Sequence, residues 1–208
     1  MRRAWLIVAL TLLCLTYIDG SAHAQRLQLS DPIARVSALD FLGALAPSTP
    51  LDLAPNDCPA RPVDELSARG ERLLLDRGGL HDVIGPTRLR LHSAAFSYIR
   101  DRNPALSVQA LMPIYKSVLE RPLEACAVAL WNASVNTLVA GLTDDEFDVV
   151  RALTPSSTVP PPIAAYFERL SAADPLFSSN GMLRAMDEAV AAVIGQRVTV
   201  LRSLGIEL

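Results

Sequence analysis

Apolar residues recur every three or four positions through most of this chain, the spacing that lines one face of an α-helix. The longest such stripe is Leu183, Met186, Val190, Val193, Ile194, Val198, Leu201 and Leu204. It predicts an amphipathic helix of about six turns running to Gly205, preceded by potential caps at Ser178-Ser179-Asn180-Gly181. A second stripe, Leu123, Ala127, Leu130, Trp131, Val135 and Leu138, predicts a helix over 123–140. Gly141 is placed to end it in the left-handed conformation. Thr143-Asp144-Asp145-Glu146 reads as a capping box, in which the threonine bonds forward and the glutamate bonds back. That helix runs to about residue 153 and stops at Thr154-Pro155. Residues 163–171 predict a short helix, and Val63, Leu66, Leu73 and Leu74 predict one over 62–77, stopped by Gly78-Gly79.

Three stretches are less regular. Residues 87–92 alternate polar and apolar, which is a strand period. One strand cannot make a sheet alone, so 87–99 is read as helical. Asn103-Pro104 has the form of an N-cap followed by proline at the first helical position. Pro113 should then break or kink the helix and Pro122 should end it. Five prolines between residues 46 and 62 (Pro47, Pro50, Pro55, Pro59 and Pro62) exclude a helix or a central strand there. The expected fold is therefore all-α: an irregular bundle of about six to seven helices with a Pro-rich connection near its N-terminus.

The first residues carry a different signal. Met1-Arg2-Arg3 is positive, residues 4–18 carry no charge, and Ala22-His23-Ala24 follows. Charged start, apolar middle and small-x-small exit are the parts of a secretory leader, with cleavage expected between Ala24 and Gln25. An uncleaved anchor would want about 20 apolar residues, and Asp19 interrupts the run. Lipoprotein processing at Cys14 would want a small residue before it, where Leu13 stands. The expected organisation is a leader over 1–24, a short helix opened by Ser30-Asp31-Pro32 and the Pro-rich segment over 25–62, and one helical domain over 63–208. No later stretch reads as a membrane span, and the expected location is the periplasm or the exterior.

Composition narrows the picture further. Half of the 208 residues are apolar, 20% are charged and the formal net charge is −3. That excludes a disordered chain and, lacking a basic excess, argues against a nucleic-acid partner. Beyond the leader two cysteines remain, Cys58 and Cys126. An even pair in an exported domain reads as one disulfide, which would tie the Pro-rich segment to the helix over 123–140. Neither cysteine stands in a C-x-x-C or beside a histidine, so a redox or nucleophilic role is disfavoured.

Candidate chemistry is sparse. The histidines beyond the leader are His81 and His92, and no H-E-x-x-H, C-x-x-C or D-x-D-x-D-G loop accompanies them. No metal or cofactor is expected. His81-Asp82 beside two glycines reads as a solvated loop tip rather than a base with its carboxylate. Asp144, Asp145, Glu146 and Asp148 lack the spacing of a cation loop, and capping explains the first three. G-x-S-x-G, S-x-x-K, G-x-x-x-x-G-K and G-x-G-x-x-G are all absent. Asn132-Ala133-Ser134 matches a glycosylation acceptor but lies inside a predicted helix. Trp131 reads as core and Asn136 as a helix-surface amide.

Residues 143–157 run from hydroxyl residue through acidic pair and glutamate to a short amphipathic helix and a Ser/Pro break, with a long amphipathic helix beyond. This order resembles a family of small exported bacterial helical proteins catalogued as a domain of unknown function. That family closes the helix with an aromatic pair and a Ser-Pro-x-Gly turn, whereas Ala152-Leu153-Thr154-Pro155-Ser156-Ser157 stands here. The resemblance implies an envelope location and a helical fold and brings no catalytic residues.

Three functions follow as expectations. The first is a non-enzymatic exported protein that binds an envelope protein or component. The second is a lipid or small-ligand carrier with an inter-helical cavity lined by Trp131, Phe96 and Phe167. The third is a hydrolase using His81 or His92 with a distant carboxylate. Oligomeric state is left open.

Overall fold

The computed structural model describes residues 53–76, 80–153, 157–178 and 180–208; the side chains of 80–83 are outside it. The expected leader with its Ala24–Gln25 junction, and the helix expected after Ser30, therefore fall outside the described residues. Among the described residues the fold is all-α, with six helices and no strand. They are α1 (Ala68–Leu75), α2 (Leu80–Arg102), α3 (Val108–Ala140), α4 (Asp144–Ala152), α5 (Pro161–Ala173) and α6 (Gly181–Ser203). A 3₁₀ turn, Pro175–Phe177, leads from α5 towards α6.

Helices α2, α3 and α6 pack on one another and enclose the core, with α1 laid against α2 and α3. Helix α3 is its axis. Leu119, Leu123, Ala125, Cys126 and Ala127 are inaccessible to solvent. By length and composition α3 is apolar enough to cross a membrane, contrary to the sequence reading that no later stretch was. Yet 72% of that window is buried inside the protein. Its apolarity is that of a central core helix, which meets protein on nearly every side.

Pro113 lies within the first turns of α3 and does not break it. Pro122, expected to end the helix, does not, because a π-turn over Lys116–Glu120 precedes it. A wide i→i+5 turn shifts the hydrogen-bond register, so a residue without an N–H can follow it while the helix continues. Pro86 is likewise inside α2, near its start.

Other boundaries move for local reasons. Asn103 opens no helix but closes α2, its side-chain amide donating to the Ile99 carbonyl; α3 opens at Ser107, whose hydroxyl accepts from the Ala110 amide. Asn103 is instead buried and clasps the C-terminal segment, donating to the Glu207 carbonyl and accepting from the Glu207 amide. Residues 62–66 form no helix, and α1 starts only after its N-cap Ser67, whose backbone is extended. Gly141 ends α3 with φ −94°, not in the left-handed region. Its requirement is room: a Cβ there would stand 2.9 Å from the Tyr166 ring, whose hydroxyl donates to the Leu138 carbonyl. The capping box of α4 forms as read, with Thr143 and Glu146 bonded reciprocally.

Helix α6 buries Met182, Met186, Ala189, Val190, Val193, Ile194 and Leu201. Leu183 and Leu204, read as part of that stripe, are 40% and 47% exposed. Gly205 has φ +80°, and the Ile206 amide reaches back to the Leu201 carbonyl. This left-handed closure lets the chain turn under the helix and bury Ile206.

Gly141→Ala should therefore cost about 1–3 kcal/mol, the usual penalty of forcing atoms into a packed site. Denaturant unfolding checks it, and a midpoint equal to that of the parent protein would refute the steric account.

Candidate functional site

Two polar constellations stand out, both on α3. The first is buried beside the π-turn. His92 on α2 is 1% exposed and Glu124 on α3 is 6% exposed. His92 Nε2 lies 3.0 Å from Glu124 Oε1. A carboxylate can only accept, so Nε2 donates. The other ring nitrogen, Nδ1, is hydrogen-bonded to the Tyr115 hydroxyl, also buried. Arg88, one turn before His92, closes the cluster with a fork: Nε donates to Oε2 at 2.7 Å and Nη2 to Oε1 at 2.6 Å. About two turns further along α3, Trp131 donates its indole N–H to Thr87, itself on α2.

The electrostatics follow from burial and pairing. Desolvation raises the Glu124 pKa, but the hydrogen bonds from His92 and Arg88 outweigh it and the net direction is down. For Tyr115 desolvation dominates and the pKa goes up, reinforced by Glu120 and Glu124. The phenol therefore keeps its proton beside Nδ1. The sequence reading looked for His92 with a distant carboxylate, and Glu124 is that partner. The order hydroxyl, imidazole, carboxylate is that of a proton relay. Here, however, both ring nitrogens are engaged and neither ring nor phenol faces solvent. The arrangement holds α2 and α3 in register while leaving no base open to a substrate. The other candidate, His81, lies in the first turn of α2 rather than at a loop tip, and its side chain is outside the described residues.

The second constellation ties residues 53–67, a strap ahead of α1, along α3. Its contacts advance with the helix. Asp57 accepts from Arg121, Cys58 is bonded to Cys126, Asn132 donates to the Asp64 carbonyl, and Asn136 donates to Glu65 and accepts from the Ser67 amide. The disulfide read from the sequence is thus present, with the two Cα atoms 4.7 Å apart. The Ala54 amide and Arg121 together lower the Asp57 pKa. Arg69 in α1 then donates to the carbonyls of Val139, Leu142 and Thr143, and to Asp144. A cation there satisfies the open carbonyls at the end of α3.

Sequence reasoning missed Asn132 and Asn136 as ties, placing Asn136 on the helix surface. Their spacing of four on a predicted helix was the available signal, since it puts both amides on one face. Asn132 is buried and its side-chain nitrogen is engaged, which leaves a glycosylation enzyme no access. One atom is left over: Asn132 Oδ1 is buried without a hydrogen-bond partner. The residues just before Asp64 cannot supply one, because Pro62 has no N–H and the Val63 amide donates to the Pro55 carbonyl. Trp131, Phe96 and Phe167, the expected lining of a ligand cavity, are all core residues. Among the described residues no group of three or more His, Cys, Asp or Glu is placed to hold a metal. Asp144 and Asp148 face Arg69 and Arg151 instead.

Arg88→Met should destabilise the protein by about 3 kcal/mol, because it strips a buried carboxylate of its paired cation. A second expectation concerns acid. Since the folded state holds the Glu124 pKa below the ordinary value of 4.5, its stabilisation is complete above that value. It is lost as pH falls through the lower, folded value. Glu124→Gln should thus be less stable than the parent protein at pH 7, with the gap narrowing at pH 3. Denaturant unfolding at the two pH values checks both, and a gap independent of pH would refute the linkage.

Comparison of the chain with family models, with curated proteins and with solved structures finds no match.

Proposed function

We propose that this is an exported helical protein that works by binding an envelope protein or component rather than by catalysis. The observation that carries the second half is the closed state of the His92 cluster. A general base must lie within reach of a substrate proton, and His92 and Tyr115 are each 1% exposed, with Glu124 at 6%. Export is supported by the leader-like residues 1–24 and by the disulfide, which persists in oxidising compartments. The resemblance of residues 143–157 to exported helical proteins points the same way.

A contact surface is offered by α6. Leu183, Val200 and Leu204 are 40%, 44% and 47% exposed. At 100° per residue they lie at the same angles as its buried stripe, Leu183 near one end of the helix and Val200 and Leu204 at the other. Aliphatic side chains left uncovered there, Val200 and Leu204 four positions apart, suit a partner of matching apolar character.

The test joins location to binding. In cells the chain should appear outside the cytoplasm, beginning at Gln25 by N-terminal sequencing. A partner captured from envelope extracts should be lost from the Val200→Glu/Leu204→Glu variant at unchanged thermal stability. Cytoplasmic retention of the whole chain would overturn the export half. Turnover of any substrate that His92→Ala abolishes, with the fold intact, would overturn the non-catalytic half.

A further inference from the structure

We draw no further inference here: the strongest candidate, the apolar patch that Val200 and Leu204 leave uncovered at the end of α6, belongs to the contact surface already described, and nothing among the described residues shows what covers it.

Discussion

A carboxylate placed inside an apolar helix is expensive unless a cation and donors come with it. Glu124 is one turn past the π-turn of α3 and lies against α2, so α2 must deliver what it needs. Arg88 and His92 are spaced by four, the interval that stacks two side chains on one helical face. Both meet the carboxylate only at one rotation and one height of α2 against α3. Tyr115, on the other side of the π-turn, completes the hydrogen bonding of His92. Apolar contacts between two helices tolerate sliding and repacking, whereas this cluster does not. The positions of Trp131 on Thr87 and of α6 across both helices follow from that register.

The π-turn belongs to the same constraint. Five residues of wider helix, Lys116–Glu120, separate Tyr115 from the segment that carries Glu124. The turn also accommodates Pro122 without ending the helix. One irregularity thus serves two needs, the re-aiming of a tyrosine and the tolerance of a proline.

How much of this was legible in the sequence depended on the range of the interaction. Local chemistry read well: the Thr143–Glu146 box, the helix through 123–140 and the long helix after Gly181 are written in spacing and capping. The Cys58–Cys126 bond was legible as well, because only two cysteines lie beyond residue 24. The failures share a cause. Pro113 and Pro122 look like breaks because a proline's effect depends on the hydrogen-bond register around it. Residues 62–66 look helical because Val63 and Leu66 have helical spacing. Asn132 and Asn136, about seventy positions away, take the Asp64 and Glu65 carbonyls and the Ser67 amide for their own hydrogen bonds. His92 could be named, but nothing local tied it to Glu124 or Tyr115, so the cluster could not be foreseen as closed.

The clasp between Asn103 and Glu207 has a bearing on how the protein is made. It joins the end of α2 to residues that follow α6, and Leu201 and Ile206 beside it are sealed from water. The two residues stand 104 positions apart, so the clasp is among the most non-local contacts of the fold and closes only once α2 and the segment after α6 have come together. A chain cut before residue 207 has no amide to offer Asn103 and leaves that buried side chain with its long-range partner missing.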